Sequence, residues 1–140
     1  MGIAIRAVCS ILAGVALALV LVSAVELISA VVHPLPPGFT GTAEEICKHV
    51  ERYPHRVLAV VVAAWGGTTF ASTWVTRRFG GRACGAFVGL ILLAGLVFNI
   101  AMLPYPTWFK VATLIAIPAA IYLGLRSPSR RKSTAVSSAK

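Results

Sequence analysis

Residues 7–32 form a continuous apolar run that contains a single charged side chain, Glu26. A run of about 18 or more apolar residues is long enough to cross the hydrocarbon core of a bilayer as a helix. This run is longer, so it can span with tilt. A carboxylate near the centre of such a helix costs roughly 2.5–3.5 kcal/mol to insert. Glu26 therefore needs a partner, a water-lined cavity or a proton.

The composition of the whole chain predicts one domain of an integral membrane protein. Of its 140 residues, 58% are hydrophobic and 12% are charged, whereas a soluble domain carries about 25% charged residues. The mean hydropathy is +0.86. At this length a single domain is expected.

The formal net charge of +9 reflects basic clusters beside the apolar segments, at 77–82 and 126–132. This placement is expected of cytoplasmic flanks under the positive-inside rule. It predicts contacts of the basic loop and tail with anionic lipid headgroups. It predicts no nucleic-acid partner, because the basic groups are explained as topology signals.

The predicted fold class is all-α: an integral membrane four-helix bundle within residues 1–126. The predicted spans cover about residues 7–32, 57–75, 83–103 and 108–125. An outer loop at 33–56 begins with a proline-rich segment that ends the first helix. Within it, Thr42 at N-cap and Glu45 at N3 predict a short amphipathic helix. Residues 127–140 are basic and serine-rich, which predicts a disordered cytoplasmic tail.

The start of the chain also resembles a secretory signal peptide, with Val22-Ser23-Ala24 as a small-residue cleavage site. Signal-peptide apolar regions run about 7–15 residues, and this run continues to Val32. We therefore expect an uncleaved anchor. Counting Lys and Arg in the short loops places both termini in the cytoplasm, with an even number of spans.

Small residues recur at every fourth position in each predicted span, which places them on one helix face. Such stripes let helix backbones approach closely in a membrane. An alanine-rich composition would also produce them by chance. The predicted helix-packing residues are Gly14, Ala63, Gly67, Gly85, Gly89, Ala116 and Ala120.

Glu26, Asn99 and Lys110 are expected to share one depth layer near the outer ends of their spans. At 1.5 Å per residue, Glu26 lies roughly 10 Å below His33. One interpretation is a proton- or cation-binding site. The alternative is structural: Asn99, serines or Lys110 bind the Glu26 carboxylate, and this contact holds the helices together. Lys110 could instead extend its ammonium group to the lipid headgroups.

The remaining polar residues do not match a catalytic or metal-binding motif. The histidines His33, His49 and His55 share the outer loop with Cys47, but they lack a known metal-ligand spacing. A solvated polar loop is the commoner explanation. No nucleophile elbow or phosphate-cradling loop is present in the sequence. We therefore predict no enzyme activity, no metal and no cofactor.

Several segments resemble those of small four-span bacterial membrane proteins of uncharacterised function. They are 25–29, 33–38, 63–67 and 103–109. The resemblance covers most of the chain except the tail and implies a multi-pass protein of a bacterial plasma membrane. The layout is also similar to small multidrug transporters, which have a glutamate in the first of four spans. The sequence around Glu26 and the long outer loop depart from that pattern.

Two functions follow as expectations. The first is a non-enzymatic accessory, assembly or structural subunit, partnered with the bilayer and with copies of itself or a larger membrane complex. The alternative is a small oligomeric transporter or channel in which Glu26 is the proton- or cation-coupling site. An oligomer is expected for the alternative, because four helices enclose little volume.

Overall fold

The computed structural model describes residues 2–127, which form five α-helices. These are α1 (Ile3–Val32), α2 (Ala43–Glu51), α3 (His55–Gly80), α4 (Arg82–Met102) and α5 (Thr107–Arg126). All of the predicted tail except Ser127 lies outside the described residues. Four of the helices, all but α2, are long and apolar enough to span a membrane. The predicted all-helical class with four long apolar helices is therefore confirmed.

The second and third predicted spans differ from the helices that contain them. The second span was predicted at 57–75, whereas α3 is continuous from His55 through Gly80 and includes Gly66 and Gly67. Glycine lowers helix propensity, but packing against neighbouring helices outweighs this in α3. The connection to α4 is Gly81 alone, with a φ of 93° that favours glycine.

α3 is the central helix of the bundle and packs against α1, α4 and α5. α4 also packs against α1 and α5, while within residues 2–127 α1 and α5 do not pack against each other. The one-residue link at Gly81 and the short loop at 103–106 make neighbouring helices antiparallel. We call the two ends of the bundle the Gly81 end and the His33 end. The segments 33–54 and 103–106 lie at the His33 end.

The half of the bundle nearer the His33 end has an apolar core formed by α3, α4 and α5. Its buried members are Leu58, Val61, Leu96, Ile100, Phe109 and Ile117. Phe109 is fully buried, and the Trp65 ring meets it edge-on with the centroids 5.8 Å apart. Aromatic side chains contribute large buried areas, so Phe109 is the main anchor of α5.

The half nearer the Gly81 end packs through small and hydroxyl side chains instead. On α3 the residues Thr68, Thr69, Ser72, Thr73 and Thr76 are all buried. Thr76 Oγ1 donates a 2.8 Å hydrogen bond to the Ser72 carbonyl oxygen one turn earlier. This local bond satisfies the hydroxyl within its own helix. α3 thus presents a hydroxyl stripe to its neighbours.

The glycines predicted for helix packing on α1 and α4 lie at close contacts. A Cβ added at Gly14 would overlap Thr76 Oγ1, and one at Gly85 would lie 3.0 Å from the Thr73 carbonyl oxygen. A Cβ at Gly89 would lie 2.8 Å from the Ile121 side chain. On α5, Ala120 is buried and Ala116 is half-buried. At these positions the helix backbones approach each other as closely as small residues allow.

Ala63 and Gly67, which were also predicted for helix packing, lie on an exposed face of α3 instead of inside the described bundle. A Cβ added at Gly67 would meet no atom of the described chain within 4 Å. The face of α3 that packs is the hydroxyl stripe, which contains Thr69, Ser72 and Thr76. Small-residue spacing defines a helix face, but it does not determine which face meets the neighbouring helices.

Candidate functional site

An open cavity of about 720 Å³ lies at the His33 end. Its wall is built from α1 and α4, and its mouth is covered by α2 and the segments 33–42 and 103–106. Its polar lining consists of Ser23, Glu26, His33, His49, Tyr53, Asn99 and Tyr105. Leu35, Phe39, Ile46 and Val50 are among its apolar lining. It is larger than the cavity of about 220 Å³ that contains Glu45.

Glu26 on α1 and Asn99 on α4 are brought together in this cavity, as their common depth predicted. Within residues 2–127 the Glu26 carboxylate forms no hydrogen bond or salt bridge, and the buried Asn99 Oδ1 has no hydrogen-bond partner. An acceptor that remains buried and unpaired costs roughly 1–3 kcal/mol. Both groups are therefore available to bind a donor, such as water, a cation or an N–H group.

Tyr53 and Tyr105 bring two phenol groups to the same cavity. Burial, together with the negative charge of Glu26, raises the pKa of both hydroxyls, that of Tyr105 to about 12. Both lie in connecting segments, where a low dielectric disfavours the phenolate. At neutral pH both are protonated and can donate a hydrogen bond into the cavity.

His33 and His49 cover one side of the mouth as a stacked pair. Their ring centroids are 4.4 Å apart with an interplanar angle of 26°. The Tyr53 ring lies 4.7 Å from His33 and 5.3 Å from His49. Burial, the neighbouring His33 and then Arg52 lower the pKa of His49. His33 Nε2 is buried and has no hydrogen-bond partner among the described residues.

Lys110 does not join Glu26 and Asn99, contrary to the expectation from depth. It is absent from the cavity lining and forms no salt bridge within the part of the chain described. The reason is that α5 packs against α3 and α4 on the side away from α1. The depth of a residue in a bundle does not define its position around the bundle axis.

The three histidines of the predicted outer loop are divided between two places. His55 packs edge-on against Trp108 at 5.7 Å, away from the His33–His49 pair. Cys47 is a free thiol on α2. Across residues 2–127 no three metal-ligating side chains converge. The loop therefore offers an aromatic cluster instead of a set of metal ligands.

The sequence did not identify the two tyrosines or His33 as site residues. They lie in or beside connecting segments, which lack the periodicity that assigns helical residues to faces. Proximity to prolines was their one local signal: His33 precedes Pro34, and Tyr105 lies between Pro104 and Pro106. The hydroxyl stripe of α3 had a clearer signal, since Thr69, Ser72, Thr73 and Thr76 share one helix face.

Four helices that are long and apolar enough to cross a bilayer support the class of multi-pass membrane proteins. The family models, curated proteins and solved structures compared with the chain include no match to it.

Proposed function

We propose that the chain lies in a bacterial plasma membrane with its Gly81 end in the cytoplasm. That end collects five arginines, Arg6, Arg77, Arg78, Arg82 and Arg126. At the His33 end, four basic residues are offset by Glu44, Glu45 and Glu51. Cytoplasmic loops carry the excess of Lys and Arg, so this asymmetry supports cytoplasmic termini and an outer position for α2.

Within that membrane, the chain acts as a non-enzymatic subunit that assembles with copies of itself or with another membrane protein. The observation that carries this proposal is the exposed small-residue face of α3, formed by Ala59, Ala63 and Gly67. α3 is the central helix, yet this face is unoccupied within the described chain. Helices associate in bilayers through such faces, because small side chains allow close van der Waals packing.

The assembly proposal is tested with Gly67→Leu. Leucine at the face should block close helix approach, so the variant should migrate as a smaller species on native electrophoresis of mild-detergent extracts. Gly95→Leu is the matched control, because Gly95 is also exposed on a spanning helix with no described atom near its Cβ position. Complexes of equal size in wild type and Gly67→Leu would refute this interface.

The second candidate is a small oligomeric transporter or channel in which Glu26 couples movement of protons or cations. It is favoured by the cavity, in which the Glu26 carboxylate and the Asn99 Oδ1 atom form no hydrogen bond with any described residue. Ionisable residues within spanning helices commonly face such cavities and line ion pathways. A coupling carboxylate must change its charge or its ligand during the cycle.

The coupling role is tested in proteoliposomes with an internal pH-sensitive dye. Wild type should carry protons or K⁺ down an imposed gradient, and Glu26→Gln should abolish this flux while retaining the thermal stability of the fold. Glu51→Gln on α2 is the control and should transport as wild type does. Equal flux in wild type, Glu26→Gln and protein-free vesicles would exclude the role.

A further inference from the structure

The short helix α2 is held over the cavity by side chains alone. Within residues 2–127 its backbone does not pack against any of the four long helices. Its contact with the end of α1 is made by His49, stacked on His33 at 4.4 Å. Tyr53, just beyond α2, lies against both rings. α2 is thus held by this aromatic cluster and by the buried Val50 side chain, so weakening the cluster loosens the helix.

Both stacked rings are imidazoles, which change charge near physiological pH. Neutral rings stack favourably. Two imidazolium rings at this separation repel each other, because both positive charges lie face to face at a partly buried site. Phe39, which lies 6.2 Å from His49, and Tyr53 cannot neutralise that charge.

The charged and titratable groups around the pair do not remove the repulsion. They are Glu45, Lys48 and Arg52 from α2 and the residue after it, Glu26 from α1, and Tyr53 and Tyr105 from the connecting segments. Glu45 is held by hydrogen bonds from Thr40, and Lys48 is paired with Glu44 at 2.6 Å. Arg52 adds a further positive charge. Among the described groups that line the cavity, Glu26 is a carboxylate without a salt bridge, and it lies on α1 and not in contact with either ring.

We propose that the His33–His49 stack is an acid-released latch that holds α2 over the mouth of the Glu26 cavity. At neutral pH the stacked pair keeps α2 in place. Positive charge acquired by the stack in acid separates the rings, so α2 leaves the mouth and the cavity becomes accessible from that side. The latch goes beyond both proposed functions, because it concerns access to the cavity whatever the cavity binds.

The direction of the pH dependence follows from proton linkage. The latched state lowers the pKa of His49 below its ordinary value of 6.5, so the released state binds protons more tightly. The latch is therefore fully effective above about pH 6.5 and weakens as the pH falls. The pKa values of Glu44 and Glu45 lie below their ordinary 4.5. Both carboxylates remain charged at about pH 5 and do not contribute to the release.

The test is amide hydrogen exchange of α2 in lipid nanodiscs at about pH 7.5 and about pH 5, with labelling times scaled for the intrinsic exchange rate. In wild type, acid should lower the protection of α2 amides by about tenfold for each unit of pKa difference between the states. His33→Phe/His49→Phe retains two stacked aromatic rings that cannot be charged. Its protection should be the same at both pH values.

His55→Phe is the matched control, because His55 contacts Trp108 and not the latch. It should respond to acid as wild type does. His49→Phe alone should also abolish the response, since it removes the ring whose pKa the latched state lowers, and this single variant is used if the double variant does not fold. The proposal is overturned if wild-type α2 keeps its protection at about pH 5, or if either latch variant still loses it.

Discussion

Thr76 Oγ1 on α3 occupies the space that a side chain at Gly14 on α1 would need. The Ser72 carbonyl oxygen lies 3.2 Å from the same Cβ position. The backbones of α1 and α3 are therefore as close as a glycine permits. In a bilayer, where lipid tails are as apolar as leucine, this closeness supplies the packing energy that holds two helices together.

Gly14→Ala should therefore destabilise the fold. The added methyl group must displace Thr76 or separate α1 from α3, and overpacking of this kind typically costs about 1–3 kcal/mol. The melting temperature in detergent should fall accordingly. Gly95→Ala, at an exposed position with open space around its Cβ, is the control and should melt as wild type does. Equal melting temperatures for both variants would contradict the close contact.

Reporter fusions should reveal the orientation in the membrane. Fusions after Pro37 and Pro106 should report the outer side, and fusions after Gly80 and Ser133 the cytoplasm. The reason is the excess of arginine at the Gly81 end. A cytoplasmic signal after Pro37 would be incompatible with four spans in this orientation.

The stability of the fold should depend on Tyr105 at alkaline pH. Because burial and Glu26 raise its pKa to about 12, the folded state holds this proton more tightly than the unfolded state does. Its contribution to stability is complete below about pH 10 and is lost as the pH rises through about 12. Tyr105→Phe should unfold with a shallower alkaline pH dependence. A phenolate absorbance titration unchanged by this substitution would argue against the assignment.

The capping box at the start of α2 should determine how well that helix is formed. Thr42 Oγ1 accepts a hydrogen bond from Glu45 N at 3.3 Å, and the Glu45 carboxylate accepts from Thr42 N in return. Thr42→Ala removes the first bond, and losing an N-cap costs about 1 kcal/mol. The α2 amides should then exchange several-fold faster.

Glu44→Gln provides the control on the same helix. It removes the exposed Glu44–Lys48 pair, and exposed ion pairs contribute about 0–1 kcal/mol. Its α2 amides should exchange much as those of wild type do. Unchanged exchange in Thr42→Ala would show that α2 does not depend on its cap.

The long helices could be predicted because the length and the hydropathy of a span are properties of the sequence itself. Thirty helical residues in α1 end where the proline-rich segment begins, since proline cannot continue a helix. The close approaches at Gly14, Gly85 and Gly89 were also predictable, because their lack of a side chain is itself the cause of the contact.

The assignment of helix faces could not be predicted from spacing. α3 carries two stripes, one of small residues through Ala63 and Gly67 and one of hydroxyl residues through Ser72 and Thr76. Both have helical periodicity, and the positions of α1, α4 and α5 around α3 determine which stripe is buried. The sequence prediction placed Lys110 beside Glu26 because the arrangement of the helices around α3 cannot be read from spacing.

The single residue Gly81 between α3 and α4 also bears on how the chain is inserted during synthesis. α3 has the lowest hydropathy of the four long helices, because it contains the buried hydroxyl residues. It is followed almost immediately by the more apolar α4, so we expect the two to partition into the bilayer together as a helical hairpin. Glycosylation mapping of truncated chains should show poor integration for one ending after Gly81 and efficient integration for one ending after Met102. α3, the least apolar of the four long helices, would thus depend on α4 for its insertion into the membrane.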